Sequence, residues 1–149
     1  MSGGFRHLDH MTDALIEAYG STLDAAFENS ARGLVNTMFD LVNVSPDTEV
    51  KIEAWGHDLC SLFYDWLEKV MLVVLTDNII LSDFKVKISC ADKTGDHHTC
   101  ILSATAKGEP LDLAKHHYKV EIKGVTYHEM QIKVEKEKNI VTTRFLLDL

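Results

Sequence analysis

Residues 8–13 read Leu-Asp-His-Met-Thr-Asp, and the chain closes with Leu147-Asp148-Leu149. The first stretch places polar, metal-competent side chains between apolar neighbours, where unpaired charge is unusual. If the first and last strands pair in one sheet, Asp13 meets Asp148 beside the main-chain carboxylate of Leu149. Three oxygen donors of this kind suit calcium, manganese or magnesium better than zinc. The two chain ends are therefore predicted to share one cation site.

A simpler interpretation of the same residues is also open. Asp9 and Asp13 could be ordinary turn residues, and Asp148 a solvated chain end, because turns commonly use Asp. Like charges held close together, by contrast, disfavour joint ionisation unless a cation or a base lies among them. Both interpretations are compatible with the spacing, and Asp9 and His10 are kept as possible neighbours of the site.

The chain has 149 residues, of which 46% are hydrophobic. That length is typical of one domain with a substantial core, so we expect a single domain over residues 1–149. The longest apolar run, Val70 to Leu75, is far shorter than the ~20 residues that span a bilayer. Residues 1–4 lack the apolar core of a signal peptide, which predicts a cytoplasmic protein that does not enter a membrane.

Cys60, Cys90 and Cys100 lie in apolar surroundings, without a C-x-x-C pair. An odd count with this spacing indicates neither a disulfide framework nor a zinc knuckle. We therefore expect three buried thiols.

The net charge of −8 is concentrated in the first half of the chain. Residues 1–69 contain 4 Lys or Arg and 12 Asp or Glu, whereas residues 70–149 contain 11 of each kind. A protein that binds nucleic acid through its own phosphate contacts needs the opposite balance, so strong direct binding is not expected. The acidic half could instead guide a basic protein partner, or simply form a soluble surface.

Hydrophobic periodicity predicts two helices followed by several strands. Ser21 is the predicted N-cap of a helix that continues to about Val42, and Asp58 caps a second, more hydrophobic helix. A hairpin turn is predicted at Asp92 to Asp96. Extended segments are predicted at residues 5–8, 14–19, 50–55, 84–90, 100–106, 118–123, 125–134 and 140–149. The pattern indicates an α+β, two-layer fold with two amphipathic helices on one mixed, largely antiparallel sheet.

The sequence contains no phosphate-cradling glycine loop, no G-x-S-x-G elbow and no H-E-x-x-H pair. The pairs His97-His98 and His116-His117 suggest zinc, but adjacent residues on a strand point to opposite faces. Each pair could then give only one ligand to a common ion. A metal-dependent hydrolase is also disfavoured, because no general base accompanies a recognisable nucleophile.

Residues 120–130, Val-Glu-Ile-Lys-Gly-Val-Thr-Tyr-His-Glu-Met, are the least core-like of the predicted strands. Lys123 precedes a tight glycine step, and Thr126, Tyr127 and His128 supply hydrogen-bonding groups at successive positions. This composition predicts a surface site. The alternative is an edge strand whose polar residues prevent pairing with another chain.

Landmarks along nearly the whole chain resemble, in order, those of the archease family. Residues 8–20, LDHMTDALIEAYG, resemble its opening D-H-T-A-D segment, and residues 121–132, EIKGVTYHEMQI, resemble its E-V-K-A-[IV]-T-Y-H-x-M signature. The segments STLDAAFENSARGLVNTMFD and DLCSLFYDWLEKVM are similar to its two helices, and FLLDL to its closing L-x-D-[IL]. Met11-Thr12, Leu15 and Gly124 depart from the family pattern without removing a donor.

The resemblance implies a protein cofactor of the RtcB-type RNA ligase, which promotes guanylylation and multiple turnover of that enzyme in tRNA splicing. It implies no ligation by the cofactor itself, and only indirect contact with tRNA. Carried over position by position, the family's divalent-ion site falls on Asp13, Asp148 and Leu149, and its functionally important lysine falls on Lys123. Calcium is the first expectation for the ion, followed by manganese or magnesium. The alternative is a metal-binding, chaperone-like interaction module without ligase specificity.

Overall fold

The computed structural model of the chain describes residues 3–8, 13–93 and 97–149. The elements in chain order are β1 (Gly4–Leu8), β2 (Asp13–Gly20), α1 (Leu23–Met38), β3 (Thr48–Gly56), α2 (Leu59–Asp77), β4 (Ile79–Lys93), β5 (His97–Pro110), β6 (Gly124–Glu135), a 3-10 turn (Lys136–Lys138) and β7 (Ile140–Asp148). Within these ranges, neither helix combines the length and the apolar character needed to cross a membrane.

The described strands form two antiparallel sheets, in the orders β1-β2-β7-β6 and β3-β5-β4. The predicted α+β class is confirmed, but two sheets take the place of the single mixed sheet that we expected. The helices explain the difference, because nine of the 16 residues of α1 are buried, more than one face can supply. Helix α1 contacts β1, β2 and β7 as well as β4, and α2 contacts β6 as well as β3, β4 and β5. Each helix is therefore covered by both sheets.

A row of aromatic side chains connects the two sheets through the helices. Phe84 on β4 lies edge-on to Trp66 of α2, whose indole N–H donates to the carbonyl of Phe27 on α1 at 3.0 Å. The ring of Phe27 packs on Phe63 with centroids 4.7 Å apart, and Phe63 meets Phe145 of β7 edge-on at 5.5 Å. All of these except Phe84 are fully buried. The core thus holds β7 firmly in the middle of its sheet.

The capping residues set where both helices begin. The cap of α1 is Thr22, whose Oγ1 accepts a hydrogen bond from the N–H of Ala25 at 3.0 Å, and not Ser21 as predicted. Asp58 caps α2 as predicted, and it shares a reciprocal capping box with Ser61.

The end of α1 was predicted too late. The helix stops at Met38 rather than at about Val42, because Phe39 is extended and forms a β-bridge with Tyr118. The strand predicted at residues 118–123 is reduced to this bridge. A contact between distant parts of the chain therefore overrides the local helical pattern.

Carboxylates from the helices cover both edges of the three-stranded sheet. Glu28 on α1 accepts a hydrogen bond from the N–H of Val86 on β4 at 2.8 Å. Asp65 on α2 accepts one from the N–H of Trp55 on β3 at 2.9 Å. Exposed strand edges tend to pair with other chains, and these bonds occupy groups that such pairing would use.

The expectation of three buried thiols is wrong. Cys90 and Cys100 form a disulfide, and Cys60 is free and exposed. The reason is the register of the β4–β5 hairpin, which places Cys90 directly opposite Cys100. Opposed cysteines on paired strands are close enough to be bonded.

Glu109 and His116 hold the loop between β5 and β6. Nδ1 of buried His116 accepts the N–H of Asp112 at 2.9 Å, so the ring proton lies on Nε2 and is donated to Glu109 at 2.6 Å. Lys115 pairs with the same carboxylate at 2.7 Å. The hydrogen bonds from Lys115 and His116 lower the pKa of Glu109 to about 2. Both ring nitrogens of His116 therefore form hydrogen bonds that stabilise the loop.

Candidate functional site

An amino-terminal strand and the last strand meet at one end of the four-stranded sheet. Asp13 opens β2 and lies directly opposite Asp148, the final residue of β7. Directly opposed residues of an antiparallel pair place their side chains on one face, with Cβ atoms about 4.5–5.5 Å apart. The strand pairing on which the predicted site depends is therefore present, although β2 rather than β1 provides it.

Lys123 reaches the same place from the other side of β7. Its N–H donates to the carbonyl of Asp148 at 2.7 Å, and the next residue, Gly124, lies opposite Asp148 in the β6–β7 register. Lys123 is exposed to solvent. Because β7 lies between β2 and β6, Asp148 is the residue that links Asp13 to Lys123.

This end of the sheet is rich in carboxylate oxygen. Asp13 is half-buried, Asp148 is exposed, and Leu149 follows with the main-chain carboxylate that it would supply as the last residue. Within the described ranges, no group of three or more His, Cys, Asp and Glu side chains could hold a metal ion. Two opposed side-chain carboxylates, together with the main-chain carboxylate that Leu149 would supply, are nonetheless the donor type that calcium, manganese or magnesium prefers.

Two predicted neighbours of the site, Asp9 and His10, lie outside the described residues. Thr126 and His128 are described, and they lie beside the site on β6. The hydroxyl of Thr126 accepts a hydrogen bond from the N–H of His128 at 3.1 Å. Thr126 therefore stabilises the local turn of the backbone, while His128 remains exposed.

Strand β6 loses its register next to the site. Its pairing with β7 breaks after Thr126 and resumes at Gln131, and Glu129 between them has a φ of 60°. β6 is also the edge strand of its sheet, as the alternative interpretation predicted. A bulge of this kind redirects side chains and interrupts an edge that could pair with another chain.

An ion-pair network lies behind the Asp13–Asp148 pair. Glu17 lies opposite Arg144 and pairs with it at 2.9 Å, and it also pairs with Arg6 of β1 at 2.7 Å. The hydrogen bond from Arg144, with that from Arg6, lowers the pKa of the Glu17 carboxyl despite its partial burial. Both arginines are engaged with Glu17, and the network ties β1, β2 and β7 together.

The sequence interpretation missed one aromatic contact next to the site. Tyr127, in the bulge of β6, stacks on Tyr64 of α2 with centroids 4.3 Å apart and rings 9° from parallel. A signal was present in the sequence, since Tyr64 lies four residues after Cys60 and four before Glu68 on the more polar side of α2. The position of Tyr127 had no such signal, because it depends on the bulge.

Comparison with known proteins identifies the family. The profile of the Archease protein family (MTH1598/TM1083) matches residues 5–149. The chain belongs to the archease family. Protein archease from Aeropyrum pernix is 33% identical over 148 residues, which cover 99% of this chain and 98% of the relative. Protein archease from Pyrococcus furiosus is 37% identical over 129 residues, 87% of each chain.

A solved structure supports the same assignment. The solution structure of Methanobacterium thermoautotrophicum protein 1598 matches this chain with a TM-score of 0.76 and 33% sequence identity. The match covers 98% of this chain and 99% of the other. The archease resemblance and the α+β fold class predicted from the hydrophobic pattern are both confirmed.

Proposed function

We propose that this archease-family protein is a cofactor that activates an RtcB-type RNA ligase in tRNA splicing, by promoting guanylylation and multiple turnover of that enzyme. The observation that supports this most is the meeting of Asp13, Asp148 and Lys123 at one sheet end, in a chain matched to the family over residues 5–149. In this proposal the protein acts in the cytoplasm, joins no RNA by itself, and meets tRNA only through the ligase.

Asp13, Asp148 and the main-chain carboxylate of Leu149 would hold a divalent cation, with calcium as the first candidate and manganese or magnesium as the others. The type of donor and the opposed register of the two aspartates support this assignment. Such an ion would offset the repulsion between the carboxylates and supply a Lewis-acid contact for phosphate oxygen. The carboxylates of Asp13 and Asp148 give this end of the sheet its negative charge, and Asp148 is exposed to an approaching partner.

Lys123 would provide the complementary charge. Its ammonium group is exposed, while its backbone is anchored to Asp148 by the 2.7 Å hydrogen bond. An ammonium group is a compact point charge suited to a phosphate or a carboxylate. Because the backbone of Lys123 is anchored and its side chain is exposed, Lys123 can place its positive charge at a defined position on the ligase.

The class of function can be tested with purified components. The protein alone should join no RNA ends. A substoichiometric amount should raise the number of RNA molecules joined per molecule of the cognate RtcB-type ligase when GTP is present. Failure to raise multiple turnover would overturn the proposal.

A chaperone-like interaction module is the second candidate, and one observation favours it. Trp55 and Ile101, opposed on the outer face of the three-stranded sheet, are both about half exposed. Exposed apolar side chains can hold unfolded clients. This module would suppress aggregation of unrelated proteins and would show no preference for the ligase, so an aggregation assay with an unrelated client separates the two candidates.

A further inference from the structure

One surface next to the candidate site combines exposed aromatic rings with carboxylates, and none of these residues belongs to the candidate site. Its centre is the stack of Tyr127 on Tyr64, in which Tyr127 keeps 55% of its surface exposed. A parallel stack covers one face of the Tyr127 ring with Tyr64, so much of the remaining exposure belongs to the ring's other side and edge. The exposed ring is therefore held in one orientation in advance of any partner.

The backbone around Tyr127 explains that orientation. Tyr127 follows Thr126, where the register with β7 breaks, and Glu129 close behind it has a φ of 60°, in the left-handed region. A non-glycine residue in this region is uncommon and is characteristic of functional loops. Tyr127 is also only four residues after Lys123, so the ring lies on the strand that forms the candidate site.

Carboxylates surround the stacked pair. Burial and the charges of Asp58 and Asp65, with a smaller contribution from Glu68, raise the pKa of the Tyr127 hydroxyl. Burial, with a smaller contribution from the charge of Glu68, raises the pKa of the Tyr64 hydroxyl. Lys69 pairs with Asp65 at 2.8 Å and offsets one of these three charges. The surface around the two rings therefore keeps a negative balance.

A second exposed aromatic residue borders the same group of charges. Trp55 keeps 51% of its surface exposed, and its backbone N–H donates to Asp65 at 2.9 Å. Its ring lies edge-on to His57, with centroids 4.6 Å apart. We name the surface around the two stacked rings the aromatic–acidic patch, and it consists of Asp58, Tyr64, Asp65, Glu68 and Tyr127, with Trp55 beside it on β3.

We propose that the aromatic–acidic patch docks an arginine-bearing segment of the partner ligase, with a guanidinium group stacked on Tyr127 and paired with Glu68. This inference rests on the proposed function, because Tyr127 of the patch lies on β6, the strand that begins directly after Lys123. A planar guanidinium stacks on an aromatic ring and pairs with a carboxylate at the same time, which an ammonium group does less well. The carboxylates repel phosphate, so an RNA strand is not the occupant.

The patch and the candidate site have separable tasks. The patch determines the affinity for the ligase, whereas Lys123 and the two aspartates determine how strongly the bound ligase is activated. Tyr127→Ala should therefore weaken binding of the cognate ligase by roughly ten-fold, as expected for an aromatic residue at the centre of an interface. The maximal activation at saturating concentration should stay at the wild-type level.

Binding of the purified ligase is measured by biolayer interferometry at low and at physiological salt, together with the activation curve. Tyr127→Phe keeps the ring and should bind like the wild type. Glu68→Gln should weaken binding several-fold at low salt and reduce its salt dependence. Tyr118→Ala is the matched control, since Tyr118 is 49% exposed and packs on Phe39 at the end of α1 instead of on α2.

The outcomes separate the two proposals. Binding within two-fold of the wild type for both Tyr127→Ala and Glu68→Gln would overturn the docking inference alone, provided that the wild type activates the ligase. If Tyr118→Ala weakens ligase binding as much as Tyr127→Ala does, the docking inference is overturned as well, because loss of any exposed tyrosine would then have the same effect. A wild-type protein that neither binds nor activates the ligase would overturn the proposed function and this inference together.

Discussion

Gly124 lies opposite Asp148 in the candidate site, at a position where the family pattern has alanine. A Cβ atom at Gly124 would meet nothing within 4 Å, and the φ of this residue lies outside the left-handed region. Gly124→Ala should therefore raise the free energy of unfolding by about 0.4–1 kcal/mol, because alanine restricts the unfolded chain. Urea denaturation measures this.

Gly108→Ala is the matched contrast, since a Cβ atom there would overlap the carbonyl of Ile80. That variant should be strongly destabilised. If Gly124→Ala loses stability in the same way, the space beside Asp148 is too small for a methyl group.

Glu109 makes the protein sensitive to acid in a defined range. Its pKa is lowered from 4.5 to about 2 by the hydrogen bonds from Lys115 and His116. Because the folded value is the lower one, the stability that these contacts contribute is complete above about pH 4.5 and is lost as the pH falls through about 2. The difference in unfolding free energy between the wild type and Glu109→Gln should shrink over that range.

Denaturation of both proteins at a series of pH values checks this prediction. Glu121→Gln is the control, because Glu121 is exposed and near the same loop. A difference between wild type and Glu109→Gln that does not change with pH would mean that the charge of Glu109 does not hold the loop.

At the scale of elements, the β4–β5 hairpin is stabilised by its disulfide. The bond between Cys90 and Cys100 closes a loop of 10 residues, and closing a loop of that size contributes about 2–3 kcal/mol at most. Reduction should therefore lower the melting temperature without unfolding the domain at ambient temperature.

Counting of free thiols tests the pairing directly. Denatured without reductant, the chain should take up one alkyl group, at Cys60, and after reduction it should take up three. Three groups without reductant would contradict the disulfide. In the Cys60→Ser variant, no group should be added before reduction.

Several elements were predictable because their signals are local. The Asp58 cap of α2 and the extended segments at 84–90, 100–106 and 140–149 each depend on a few neighbouring residues, and each is found as predicted. The end of α1 was not predictable in this way, because it depends on the bridge from Phe39 to Tyr118, residues far apart in sequence. The Cys90–Cys100 pair likewise required the register of a hairpin and not only its existence.

At the scale of the whole molecule, the meeting of Asp13 and Asp148 could be predicted from two strands at opposite ends of the chain. The division into two sheets could not, because it depends on both helices being covered from more than one side. The stack of Tyr127 on Tyr64 also lay beyond the sequence, because the bulge in β6 creates it.

The proposed cation site depends on both ends of the chain at once. Titration with calcium or manganese should show weaker binding for Asp13→Asn and for a variant extended beyond Leu149, because each removes or displaces an oxygen donor. Asp47→Asn, an exposed position in the loop before β3, should bind like the wild type. An extended variant that binds the ion as well as the wild type would show that the carboxylate of Leu149 is no ligand.

The proposed function requires that Asp13, Asp148 and Lys123 act together as one site in activating the ligase. The decisive experiment counts the RNA molecules joined per molecule of the cognate RtcB-type ligase with substoichiometric amounts of Lys123→Ala. We expect this number to fall sharply while the melting temperature stays near that of the wild type, because an exposed lysine contributes little stability. The control Lys51→Ala, an exposed lysine on β3, should activate like the wild type. Full activation by Lys123→Ala, or unfolding of this variant at a clearly lower temperature, would show that Lys123 does not act in the proposed site.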